Sequence, residues 1–222
     1  MAKTAAKPAH PGDKLPLSRE RIELAALELM EEEGQAGFST RKLAARLGYE
    51  AMSIYHYFPS KGHLMDALVD RVIGEEMSVL DPKAGPWRRQ LEMSAWEWRR
   101  MALRHPVFFG YLALHRLNTP TGLRWLNGVL GVMRRAGLPH EAAVRLFRVV
   151  GYYLNGCMMD ETAGYTRGPS TVAPVADDIM RRDYPEVVEA GRWFAQSERE
   201  KTYELGLKLV LDGIEREISR PA

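Results

Sequence analysis

Apolar residues recur along this chain at intervals of three and four, and nowhere in the strict alternation that a half-buried strand needs. Proline and glycine cut that pattern into segments, so the chain must fold as helices packed on helices: the fold class is all-α. Ser18 offers an N-cap to a first helix whose inner face is Ile22, Ala25, Ala26, Leu29 and Met30. Arg21 at the third helical position rules out a capping box. Gly34 and Gly37 end this helix. Ser39 or Thr40 caps a second, short one with Leu43, Ala44 and Leu47 inward, and Gly48 supplies the positive φ of a tight exit. A third helix is predicted from about Glu50 to Tyr57, stopping before Pro59. Ser60 caps a fourth, with Leu64, Leu68 and Val72 on one stripe.

Beyond Asp81–Pro86 the segments lengthen. Helices are predicted at about 87–104, 106–116, 120–136 and 139–163, bounded by Pro106, Pro120, Gly137 and Pro139. Gly164–Pro185 reads as a loop with at most a short helix, and a last helix covers about 187–218, with a break near Ser197. Before the first helix, residues 1–16 read as a disordered basic arm: Pro8, Pro11, Gly12 and Pro16 punctuate it, and Lys3, Lys7 and Lys14 charge it.

The 222 residues suffice for one large core, or for a small and a medium one. No secretory apolar region opens the chain, and the uncharged run Val149–Met159 is too short to span a bilayer, so a cytoplasmic location and no membrane partner are expected. Cys157 is the single cysteine, which excludes an internal disulfide and a cysteine-rich zinc site. The net charge of +2 conceals a local contrast: Glu31, Glu32 and Glu33 close the first helix, whereas Arg41, Lys42, Arg46 and Lys61 outweigh Glu50 in the next stretch. A basic stripe of this kind suits phosphate contact, and equally a solvated face.

Short helix, glycine turn, short helix is the helix-turn-helix pattern, in which the first helix braces on the DNA backbone and the second enters the major groove. The second helix needs an apolar anchor, here Ile54 with Phe58, and a small or polar outer face, here Ala51, Met52, Ser53 and His56. Ser53 and His56 are candidates to hydrogen-bond base edges, and Ala51 or Met52 to touch a thymine methyl. Tyr55, Tyr57, Lys61, Thr40 and Arg41 are candidates for phosphate. The same residues taken as spacing alone also fit a plain helical hairpin. An enzyme is not expected: G-x-S-x-G, P-loop, Rossmann and H-E-x-x-H patterns are missing, and the six histidines are scattered.

Within residues 38–68, Thr40, Gly48, Tyr55, the pair Tyr57-Phe58 and Lys61 stand in the order and spacing that resemble the TetR-family DNA-binding domain. His115–Pro120, Gly156–Asp160 and Gly206–Gly213 resemble the tetracycline-repressor class of that family at matching places. The resemblance implies a three-helix helix-turn-helix DNA-binding domain over 17–80 and a larger helical bundle over 81–222 for ligand binding and dimerisation. It further implies a homodimer on double-stranded DNA, most often a repressor released from a palindromic operator by a small-molecule inducer. An activator, or a ligand-binding helical protein without DNA activity, is the alternative.

The dimer would join through the 139–163 helix and the last helix as a four-helix bundle. Both are apolar on more than one narrow stripe: Ala142, Ala143, Leu146, Val149, Val150 and Tyr153 on one, Leu205, Leu207, Leu209, Val210, Leu211 and Ile214 on the other. Monomer core alone would also use these residues. Candidates for lining an effector pocket are Trp96, Phe108, Tyr111, His115, Trp125, Phe147, Met159 and Asp160, each of which would serve equally in core packing. In tetracycline-binding relatives a His and a Glu at similar places help hold a magnesium–drug chelate, which raises His115 and Asp160 as a metal pair. Met77 stands where another ligand-contacting His of that class lies, which argues against tetracycline itself. No resident cofactor or metal is expected.

Overall fold

The computed structural model describes residues 16–115, 117–163 and 173–220. Among them run α1 (Arg19–Gly37), α2 (Thr40–Leu47), α3 (Ala51–Tyr57), α4 (Lys61–Glu76), α5 (Trp87–Arg104), α6 (Pro106–Leu112), α7 (Pro120–Arg135), α8 (His140–Ala163), α9 (Asp177–Asp183), α10 (Pro185–Ala190) and α11 (Arg199–Ile218), and no strand occurs among the described residues. The fold is all-α. The chain divides into two units between Leu68 and Val69, within α4. The arm expected over 1–16 lies outside the described residues except for Pro16.

In the first unit the Ser18 hydroxyl accepts from the Arg21 amide at 3.2 Å, satisfying one of the open donors of α1. Ile22, Ala25, Ala26, Leu29 and Met30 form its buried face. Gly34 leaves helical geometry at φ 78°, so the regular helix breaks three residues before Gly37. Ser39, not Thr40, is the cap of α2, its hydroxyl accepting from the Lys42 amide at 3.2 Å. Gly48 takes φ 77°, and its amide closes on the carbonyls of Ala44 and Ala45. The seven residues of α3 are too few to persist as an isolated helix. Ile54 and Phe58, each 1% exposed, hold it in the unit, and such burial contributes about 1.5–3 kcal/mol per side chain.

In the second unit α8 packs against α5, α6, α7 and α11. Tyr203 of α11 is buried and donates its hydroxyl to the Ala95 carbonyl of α5 at 2.6 Å. Glu97 is a buried carboxylate, and it accepts from both the amide and the hydroxyl of Ser78, at 3.0 and 2.5 Å. That pairing removes the cost of leaving its charge unsolvated and pins the strand-free segment after α4 to α5. Where α11 meets α8, a Cβ on Gly206 would lie 2.5 Å from the Tyr153 ring, so only glycine permits this approach.

Two boundaries differ from the sequence pattern. The 106–116 helix stops at Leu112, because its last turn tightens into bonds from Leu114 to the Tyr111 carbonyl and from His115 to that of Leu112. The last helix starts at Arg199 rather than 187. Residues 173–198 instead form α9, α10 and two 3-10 turns, 191–194 and 196–198, none with a buried residue to hold one long helix. α9 occupies the end of the predicted loop, its Asp177 and Asp178 at the N-terminus and Arg181 and Arg182 at the C-terminus complementing the helix dipole. Residues 164–172 of that loop lie outside the described residues. No described helix is long and apolar enough to cross a membrane.

Candidate nucleic-acid interface and ligand cavity

The outer face of α3 is open. Met52 is 68% exposed, Tyr55 and His56 are exposed, and Ala51 and Ser53 are half-buried beside them. Thr40 is half-buried at the first position of α2, and Arg41 next to it is exposed. Lys61 is exposed at the start of α4. Its ammonium lies 5.1 Å from the Phe38 ring centroid and donates to the Phe38 carbonyl at 3.4 Å, which leaves donors for another acceptor.

Tyr57 is placed differently from its neighbours. Its hydroxyl donates to the Leu17 carbonyl at 2.7 Å, and a phenol has one proton to donate. In return Arg19 donates to the Tyr57 carbonyl at 2.6 Å while its guanidinium sits 4.2 Å from the Phe58 ring centroid. These contacts close the C-terminus of α3, whose last carbonyls would otherwise lack partners, and brace it on the start of α1. Nothing in the sequence pattern marked Arg19, since its partners lie 38 and 39 residues on.

The basic stripe read from the sequence does not survive folding intact. Arg46 is pinned to Glu32, at 2.5 and 2.7 Å, and reaches Glu28 at 3.3 Å; Lys42 pairs with Glu33. The bond from Arg46 holds the Glu32 carboxyl below its usual range. The acidic end of α1 thus neutralises half of the stripe, and Arg41 and Lys61 carry the positive charge that remains.

The second unit contains a cavity of about 410 Å³, within the range of small-molecule sites. Three of the residues expected there line it: His115, Trp125 and Phe147. The other five do not. Trp96 packs edge-on against Tyr203, centroids 5.0 Å apart, under Arg99. Phe108 is fully buried core, with Tyr111 against it and stacked on His115 at 4.9 Å. Asp160 turns to another side of α8, 3.8 Å from Arg199 at a separate surface depression, and Met159, 39% exposed, is not part of the cavity wall. Helical phase explains Asp160, whereas Met159 shares the face of Asn155 one turn further on: on α8 the cavity takes residues from Phe147 to Asn155 and ends there.

Sequence reasoning missed Trp98, Ser94, Asn155 and Asn118. Trp98 and Trp125 stack with centroids 5.7 Å apart and an interplanar angle of 22°, forming an aromatic wall. Trp98 donates its indole N–H to the Asn155 side-chain oxygen at 3.2 Å. Within one protomer the pair suggested for a magnesium chelate of the tetracycline kind does not assemble. His115 and Asp160 are not brought into one cavity, and no carboxylate lines it among the described residues.

One edge of the second unit is apolar and uncovered. Val144, Val149 and Tyr152 of α8 and Leu205 and Leu209 of α11 are all 47% exposed or more, while Ala143, Leu207, Leu211 and Ile214 face inward. The two helices therefore carry apolar surface on two sides.

Comparison with known proteins gives a consistent result. Residues 23–68 match the family described as bacterial regulatory proteins, tetR family, and residues 81–218 match the tetracyclin repressor-like C-terminal domain. The chain is 29% identical over 216 residues to the HTH-type transcriptional repressor DrrR1 of Streptomyces coeruleorubidus, covering 92% of this chain and 79% of that protein. It is 28% identical to the class A tetracycline repressor protein from transposon 1721 of Escherichia coli, over 86% of this chain and 87% of the other. A crystal structure of a possible TetR family transcriptional regulator from Streptomyces coelicolor A3(2) superposes with a TM-score of 0.74 at 26% identity, covering 90% of this chain and 99% of that one.

Proposed function

The chain belongs to the TetR family of bacterial regulatory proteins, and from that premise we infer that it is a homodimeric repressor freed from a palindromic operator by a small molecule. It is a DNA-binding transcriptional regulator and not an enzyme. The observation that carries the DNA half of the reading is α3: a short helix anchored by Ile54 and Phe58, with Ala51, Met52, Ser53, Tyr55 and His56 turned outward. Ser53 and His56 read base edges, Ala51 and Met52 approach thymine methyls, and Tyr55, Thr40, Arg41 and Lys61 hold phosphates. Tyr57 is assigned to bracing α3 rather than to phosphate, because its proton is already engaged. The basic arm over 1–16 adds electrostatic attraction.

The uncovered face of α8 and α11 supports dimerisation as a four-helix bundle, and a dimer that reads a palindrome needs two copies of α3 about 34–36 Å apart, one turn of duplex. The cavity supports an effector site. Its wall includes Leu117, Asn118 and Leu123, which flank Thr119–Thr121, the segment gripped by Asp70 of α4 through the Thr121 amide at 2.8 Å. An effector that moves the start of α7 thereby moves α4, the helix in which the two units meet. Only an effector with different affinity for the two positions of α4 does this, and a coupling of about 1–3 kcal/mol weakens operator binding several-fold to about a hundredfold.

Selection of bound fragments from random duplexes tests the reading, together with the sedimentation mass of the free protein. An inverted repeat with half-sites one helical turn apart and a dimer in solution are expected. Retention without sequence preference, or a monomer at working concentration, refutes it.

A further inference from the structure

We propose that Trp125 and Ser94 form a hydrogen-bond-donor pair in the cavity that selects a flat, uncharged aromatic effector carrying a carbonyl acceptor, and selects against cations and metal chelates. The inference rests on the cavity being the effector site and names the chemistry it takes.

The argument begins with two stacked indoles. Trp98 and Trp125 both line the cavity, but their N–H groups have different fates. That of Trp98 is spent on Asn155 at 3.2 Å. That of Trp125 is buried with no hydrogen-bond partner among the described residues, and so is the Ser94 hydroxyl oxygen. The two side chains are 9% and 5% exposed. An indole N–H only donates, and leaving it unpaired in an apolar interior is costly. A ligand acceptor placed beside Trp125 removes that cost, and the Ser94 hydroxyl, unpartnered in the same cavity, offers a second donor.

Shape and charge narrow the ligand further. The indole wall, with Phe147 and Tyr152, favours a planar ring system that stacks on it. Among the described residues lining the cavity there is no Asp or Glu, and the one permanently charged side chain is Arg148, which lies 5.8 Å over the Tyr152 ring. A cation entering here loses its hydration, meets no counter-charge and faces a like charge. A neutral carbonyl compound meets none of these penalties.

Three fused tricyclic probes of similar outline separate these factors: xanthone, neutral with a carbonyl; anthracene, with no acceptor; and the 9-aminoacridinium cation. Binding to the full-length protein is followed by tryptophan fluorescence, with magnesium chloride or with EDTA. Xanthone is expected to bind about three- to tenfold more tightly than anthracene, the range of one or two neutral hydrogen bonds, and more tightly still than the acridinium. Magnesium should change nothing. Trp125→Phe, which keeps the aromatic wall and removes the donor, and Ser94→Ala should each weaken xanthone about threefold or more and leave anthracene unchanged. Thermal melts of both variants establish that they fold, and either one alone suffices for the comparison.

Equal or tighter binding of the cation, or variants that weaken xanthone and anthracene alike, overturns the proposal. Failure of all three probes to bind also overturns it, whereas the assignment as an operator-binding regulator is judged separately by duplex selection.

Discussion

Asp70→Asn is the sharpest test of how the second unit is held together around α4. The Asp70 carboxylate accepts from the Thr121 amide at 2.8 Å, and hydroxyls of Thr119 and Thr121 also bond to it. Thr121 is the second residue of α7, so its amide is one of the four that a helix start leaves open, while Thr119 itself takes the Gly122 amide at 3.2 Å. Burial alone would raise the Asp70 carboxyl, but the bonds from Thr119 and Thr121, with Arg124 nearby, outweigh it and leave the group below its ordinary range. A hydrogen bond to a charged acceptor contributes about 1.5–3 kcal/mol and a neutral one about 0.5–1.5. Asn keeps an oxygen for the amide but not the charge, so the substitution is expected to cost about 1 kcal/mol at neutral pH. Urea unfolding followed by circular dichroism, wild type beside Asp70→Asn from pH 7 to pH 3, measures it. A folded-state value depressed below the unfolded one means that the carboxylate's contribution is complete above the unfolded value of about 3.9 and is lost as pH falls through the folded value. The gap between the two proteins should therefore hold constant from pH 7 to about 5 and narrow as the pH falls further. A gap undiminished at pH 3, or none at pH 7, refutes the reasoning, since either would mean that charge at this position stabilises nothing.

Tyr57→Phe is expected to lower stability by about 0.5–1.5 kcal/mol and to leave the salt dependence of operator binding unchanged; a shallower slope with unaltered stability would return Tyr57 to the phosphate contacts. Lys61→Ala should reduce that slope by about one unit of log K per log salt, whereas Arg46→Met, whose charge is matched by Glu32 and Glu28, should leave it close to wild type. Gly206→Ala drives a methyl to 2.5 Å from the Tyr153 ring and should cost about 1–3 kcal/mol in thermal or urea unfolding. The double variant with Tyr153→Leu should lose less than the two single losses combined, and strict additivity would show that the ring is not what excludes the side chain.

The parts of this molecule that were legible in advance are those fixed by local chemistry. Ser18 caps α1, Gly48 turns the chain at φ 77°, and Ile54 and Phe58 anchor α3, because each acts on residues within a turn or two of itself. The end of α6 and the start of α11 were misplaced for the converse reason. Periodicity continues through Leu114 and through residues 187–198, but without burial it does not decide between one long helix and a series of short turns.

Site chemistry divides along the same line, at the level of single donors rather than residue types. The sequence shows that Arg41, Lys42, Arg46 and Lys61 are basic. Which of them remain available to DNA depends on Glu28, Glu32 and Glu33, brought back by the packing of α1 on α2. It shows tryptophans in α5 and α7, but only the approach of Asn155, 57 residues beyond Trp98, determines which indole N–H is spent and which is left for a ligand. A DNA-reading helix works with the outward side chains of one seven-residue segment, so its function is written nearly in order. An effector cavity works with whatever donors the fold has not consumed, and that remainder exists only once α5, α7, α8 and α11 have closed around it.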